Sequence, residues 1–176
     1  MQKRILVVAF MILLAGVAVV SFVNLGGLAD IEVKIEQTSD YRIAGKMYEG
    51  LYKSDELEKL FFQARDLAEK GTISSTLTVV NYPNTSDNEK YVKQFIGVLL
   101  ENGNEDGLPD DFEIKTIEAN LTTRATITSH NLVMPNPEDI YERAKEIAQQ
   151  EGKELVEFSI EMYKSERDLV VDIPFK

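Results

Sequence analysis

Apolar and charged residues alternate at the start of the soluble part: Ile31, Val33 and Ile35 take one side, Glu32, Lys34 and Glu36 the other. A period of two is the pattern of a strand with one buried face. A second extended stretch, 42–48, leads into Glu49-Gly50-Leu51-Tyr52. Ser54 and Asp55 then offer N-cap chemistry. Beyond them Leu57, Leu60, Phe61, Ala64, Leu67 and Ala68 recur at helical spacing, which predicts an amphipathic helix packed on a sheet, with Gly71 placed to end it. Two further strands are expected over 76–82 and 91–100. Between them lie Pro83, Asn84, Ser86, Asp87 and Asn88, residues that favour turns.

The second half repeats this order, with a threonine-rich strand over 122–130, a helix over 137–151 and strands over 154–163 and 168–175. Pro137 can open its helix without loss of a hydrogen bond. Ala64, Leu67, Ala68, Gly71 and Tyr82 find counterparts in Ala144, Ile147, Ala148, Gly152 and Tyr163, with one residue inserted before the second glycine. The expected fold class is α+β, a duplicated strand-helix-strand-strand plan with an antiparallel sheet and two helices. In the late strand Val156, Phe158, Ile160 and Met162 share one face, and Glu157, Ser159, Glu161 and Tyr163 share the other. A carboxylate and a phenol two residues apart on a strand, about 7 Å between Cα atoms, can touch one bound molecule. A solvated outer face gives the same pattern.

Lys3 and Arg4 precede an uncharged run over 5–23, long enough as a helix to cross a hydrocarbon core of about 30 Å. Positive charge before the run, with Asp30 and Glu32 after it, predicts a cytoplasmic N-terminus and a domain on the outer side, periplasmic or extracellular. A cleaved signal peptide is the competing reading, because Gly27-Leu28-Ala29 supplies small residues at a cleavage site. Either way the domain is exported. The chain divides into a transmembrane anchor or signal segment over 1–25, a linker over 26–30 and one domain over 31–176.

Composition narrows the chemistry. There is no cysteine, which removes disulfides, thiolate metal sites and cysteine nucleophiles. A net charge of -11 opposes phosphate backbones, so nucleic acid is not an expected partner. The single histidine, His130, is given no catalytic role. Asn102, Asn104, Asp106, Gly107 and Glu113 have the spacing of a calcium loop, but Pro109 falls inside it and strands flank it, as suits an acidic turn entering a strand near Phe112. No phosphate loop, paired-histidine metal motif, nucleophile elbow or dinucleotide fingerprint occurs. No metal, cofactor or catalytic residue is expected.

Tyr41-Arg42-Ile43-Ala44-Gly45 followed by Glu49-Gly50-Leu51-Tyr52 resembles the opening of the GyrI-like small-molecule-binding domains, found also as effector-binding domains of bacterial transcription activators. Asn81-Tyr82-Pro83, Leu108-Pro109, Ile160-Glu161-Met162-Tyr163 and Val171-Asp172-Ile173-Pro174 resemble later motifs of that family in order. The resemblance implies the SHS2-type duplicated fold and a groove between two pseudo-symmetric halves. It also implies a late-strand glutamate facing ligands that are often cationic and aromatic or amphipathic. Glu161 matches that glutamate, and Tyr52 and Tyr163 match aromatic positions lining the groove. The leading expectation is therefore a membrane-anchored, non-catalytic module that binds a small organic molecule. The alternatives are an interaction protein with a degenerate pocket and a small-molecule hydrolase using Glu161.

Overall fold

The computed structural model describes residues 2–25, 31–70, 75–101, 105–129 and 135–176; of the first twelve, only Met11 is described by its side chain. A helix, α1 (Gln2–Asn24), is followed by β1 (Glu32–Gln37), β2 (Tyr41–Leu51), α2 (Asp55–Glu69), β3 (Ser75–Tyr82), β4 (Tyr91–Leu100) and β5 (Glu113–Ile117). The second half supplies β6 (Leu121–Thr128), α3 (Pro137–Gln150), β7 (Ser159–Tyr163) and β8 (Asp168–Pro174). Among the described residues no helix is long and apolar enough to cross a membrane. The proposed cleavage site at Gly27-Leu28-Ala29, the helix stop Gly71, the loop residues Asn102 and Asn104, and His130 lie outside the described residues.

All eight strands form one antiparallel sheet in the order β1-β6-β8-β7-β3-β4-β2-β5. Two triplets are visible in that order, β2-β4-β3 and β6-β8-β7, each made of a strand, a helix and a hairpin. They meet at the β3–β7 seam, where Val79 stands opposite Glu161. On one face α2 covers β3 and β4, while α3 covers β6 and β1. Ala64 and Ala144, matched in the sequence repeat, are both buried against the sheet, where small side chains bring helix and strand backbones close.

The other face is concave. Tyr41 on β2 donates through its hydroxyl to Asp172 on β8 at 2.6 Å, although the two strands are four places apart in the sheet order. Four spacings span roughly 19 Å in a flat sheet, too far for a phenol and a carboxylate to bridge, so the sheet must curl. Gly45 and Gly97, register partners on β2 and β4, allow the coil: a Cβ on Gly97 would lie 1.9 Å from the Ala44 carbonyl oxygen. Inside the curl Ile43, Val80, Phe95, Ile160 and Met162 form an apolar core. Asp172, fully buried, also accepts from Arg124 Nε at 2.8 Å and Nη2 at 2.7 Å, and Arg124 reaches Glu36 at 2.6 Å.

Two sequence expectations need correction. The late strand begins at Ser159 rather than at 154, with Leu155 making a single bridge to Phe175. The reason lies in the neighbours: extending β7 backward would set residues 157 and 158 beside Pro83 and Pro174, and proline has no N–H to give a ladder. Tyr82 and Tyr163 are also not equivalent. Tyr82 points into the concave face and packs on Phe158, with ring centroids 5.8 Å apart, whereas Tyr163 points toward the helices. Since side chains alternate along a strand, one inserted residue moves the second tyrosine to the opposite face.

Candidate functional site

The seam between the halves is covered by neither helix completely, and the side chains standing on it are polar. Pairing of Val79 with Ile96 and Glu161 sets Asn81, Gln94, Glu161 and Tyr163 on the helix-bearing face. They form a chain of hydrogen bonds across three strands. Gln94 Nε2 donates to Asn81 Oδ1 at 2.6 Å, and Asn81 Nδ2 donates to Glu161 Oε1 at 2.8 Å. From the other side the Tyr163 hydroxyl donates to Glu161 Oε2 at 2.7 Å. Each carboxylate oxygen thus accepts one neutral donor, and among the described residues no basic side chain pairs with Glu161.

Burial raises the Glu161 pKa above its ordinary value, opposed by the hydrogen bonds from Tyr163 and Asn81. Burial, then the adjacent Glu161 charge, pushes the Tyr163 phenol well up, so it stays a donor. The edge of one ring meets the face of another where Phe61 of α2 approaches Tyr163, with centroids 5.8 Å apart and planes at 89°. Behind Glu161, on the α3 side, is a hollow of about 280 Å³ walled by Ile140, Tyr141, Leu169, Val171 and Ile173. On the α2 side an open cleft of about 500 Å³ lies between Tyr52, Leu57, Phe61, Val79, Gln94 and Tyr163.

Tyr52 reaches the rim of that cleft through a local device. Tyr48 on β2 donates to the Leu51 carbonyl at 2.8 Å and shares a 2.6 Å hydrogen bond with Ser54 Oγ, which accepts from the Leu57 N–H at the start of α2. A Cβ at position 50 would lie 2.6 Å from the Tyr48 hydroxyl, so any larger residue there requires that ring to shift. Gly50 therefore lets the ring fold back over the chain, and the turn after it presents Tyr52 outward, 48% exposed. Its partner is Lys53, whose ammonium lies 5.2 Å from the ring centroid.

The three expected site residues divide as follows. Glu161 and Tyr163 are in direct contact, Tyr52 shares a cleft with Tyr163, and Tyr52 and Glu161 line separate hollows. Sequence reasoning passed over Gln94, Phe61 and Tyr141 as site residues and took Asn81 only as a landmark. Gln94 carried a usable signal, a lone amide in the strand run Val92-Lys93-Gln94-Phe95-Ile96, two residues from a fully apolar position. Among the described residues no group of three or more Asp, Glu or His side chains converges on a metal-sized point.

Comparison with known proteins places the fold. No family model matches the chain, and no curated protein does. Among solved structures the C-terminal domain of EcmrR aligns with a TM-score of 0.56 at 9% identity, covering 83% of this chain and 98% of that one. A hydrolase from Listeria innocua gives 0.56 at 7%, covering 82% and 92%. An integron cassette protein of Vibrio cholerae gives 0.52 at 11%, covering 83% and 97%. At such identities the likeness is one of fold.

Proposed function

We propose that this chain is a non-catalytic small-molecule-binding module of GyrI-like type, that its ligand is cationic, and that Glu161, Tyr163 and Tyr52 bind it. One observation carries the reading: Glu161 is a partly buried carboxylate without a basic partner among the described residues, set in a hollow lined by Tyr141 and Tyr163, with Phe61 against the far side of the Tyr163 ring. Desolvating a carboxylate is costly unless a cation compensates it, and aromatic faces stabilise the same cation through their quadrupoles. The unfilled hollow of about 280 Å³ at Glu161 also favours ligand capture over a degenerate docking module, whose groove its own side chains would fill. The fold shared with the EcmrR C-terminal domain supports the GyrI-like resemblance.

The same proposal includes a membrane anchor. The described residues alone form no span, but the full sequence of α1, 23 residues or about 34 Å at 1.5 Å per residue, carries no charge over 5–23. Met11, Leu13, Val17, Val19, Val20 and Val23, which point to all sides of the helix, are 46% to 64% exposed. A helix apolar all round needs a nonpolar surrounding, and a bilayer supplies one. The positive-inside bias then sets the domain on the non-cytoplasmic side.

The test is calorimetric titration of the full chain, in nanodiscs of zwitterionic lipid, with tetraalkyl- and aryl-ammonium ions. Glu161→Gln should weaken cation binding at least tenfold without lowering the melting temperature. Affinity should also fall on acidification, beginning above the ordinary carboxyl value because burial raises the Glu161 pKa. Equal affinity of the variant and the wild type would refute the reading.

A further inference from the structure

Tyr163 lines three hollows. It belongs to the cleft beside α2, to the hollow behind Glu161 on the α3 side, and to a third space of about 510 Å³ bordered by Arg65, Leu77 and Lys164. It is also packed against two of the apolar clusters, one under α2 and one under α3. The phenol stands between the carboxylate of Glu161 and the cleft of about 500 Å³, bonded to that carboxylate while its ring meets Phe61 edge-on.

We propose that Tyr163 is a partition, a specificity-determining residue that divides the groove and limits the size of ligand able to reach Glu161. This inference rests on the ligand-binding reading above. Two anchors hold the partition. The hydroxyl is fixed to Glu161 Oε2, and the ring is wedged between Phe61 on one side and Leu169 and Val171 on the other. With the ring in place, a cation at Glu161 has the α3-side hollow of about 280 Å³ for its body. At roughly 30 Å³ per heavy atom, the volume share of a liquid water molecule, that is about nine non-hydrogen atoms. A trimethylammonium head uses four, leaving about five carbons of tail. A longer tail must displace the ring and break its hydrogen bond, or project back toward solvent.

The arrangement gives chain length a defined role. Up to about five carbons each methylene enters apolar surroundings, and affinity should climb by about fourfold per carbon. Beyond that, the wild-type profile should flatten. Removing the ring joins the hollow to the 500 Å³ cleft and should let the climb continue.

The experiment titrates n-alkyltrimethylammonium ions from ethyl to dodecyl into the full chain in zwitterionic nanodiscs, wild type beside Tyr163→Ala. The quantity read is the ratio of variant to wild-type affinity at each length, in which partitioning of the probe into the bilayer cancels. A ratio flat to about five carbons and rising by several-fold per carbon thereafter is the expected result. Should Tyr163→Ala not fold, Tyr163→Phe keeps the ring and frees it from Glu161, and its ratio should rise several-fold over the long members alone. A ratio independent of chain length, with binding intact, overturns the partition and leaves the ligand-binding reading standing. Failure of every probe to bind wild type and variant alike overturns both.

Discussion

Arg124→Met is the substitution whose cost follows most directly from the fold. Among the described residues Arg124 supplies two of the three side-chain hydrogen bonds to the Asp172 carboxylate, from Nε at 2.8 Å and Nη2 at 2.7 Å, and Tyr41 supplies the third at 2.6 Å. Asp172 is fully buried, and Arg124 keeps 26% of its side chain exposed. Methionine retains much of the aliphatic stem and removes the charge, which strands a carboxylate inside the curl. Breaking a buried pair from one side costs about 3–5 kcal/mol. Because solvent reaches the guanidinium and screens part of the attraction, the lower end, about 3 kcal/mol, is expected. For a domain of this size that corresponds to a melting temperature lower by about 6–12 °C. Far-UV circular dichroism melts of the full chain measure it. The double variant Arg124→Met/Asp172→Leu removes the stranded charge and should recover at least half of the loss. A double variant no more stable than the single would show that the cost comes from lost packing of the arginine stem, and the argument from the buried carboxylate would fall.

Gly97→Ala should destabilise by at least about 3 kcal/mol in denaturant unfolding, because the new Cβ would meet backbone atoms of Ala44 and Gly45 that cannot rotate away. A loss under 1 kcal/mol would mean that β2 and β4 can separate without disturbing the curl. Ser54→Ala removes the acceptor for the Leu57 N–H and a partner of Tyr48, and should lower stability by about 1 kcal/mol. Glu161 predicts a pH profile. Its folded pKa lies above the ordinary 4.5, so the native state binds the proton more tightly than the unfolded chain does, and this group's contribution falls as pH rises through that window. Glu161→Gln should therefore gain stability relative to wild type between acid and neutral pH, and parallel profiles would contradict the assignment.

How far the sequence carried can be seen at particular residues. The period-two run at Ile31, the cap at Ser54 and the helical spacing from Leu57 to Ala68 all describe local rules, and the elements stand where those rules put them. β7 was overextended because alternation continues through Val156 and Phe158, while the two prolines that stop the ladder belong to neighbouring strands distant in sequence. The equivalence of Tyr82 and Tyr163 failed for a related reason, since matching spacings do not reveal which face a strand turns inward. Glu161 and Tyr163 were legible as a pair on one strand. Their placement between the helices, the amides of Asn81 and Gln94 beside them and the ring of Phe61 depend on which strands become neighbours, and neighbours in a sheet are chosen by the whole fold.

The β3–β7 seam has a further consequence, for the life of the chain before it is finished. Leu77, Thr78, Val79 and Val80 of β3 are all buried in the completed protein, yet on one side they are paired only by residues 160–163. A nascent or truncated chain that stops short of Ser159 shows this segment as an open sheet edge, rich in β-branched residues and free of charge. Such an edge pairs with whatever strand is offered. β7 of a second copy presents the complementary register, so exchange of halves between two molecules would satisfy both edges without any new interface. The β3–β7 seam would in this way become the shared interface of a swapped dimer, and interrupted synthesis or proteolysis between the halves is the event that would produce it.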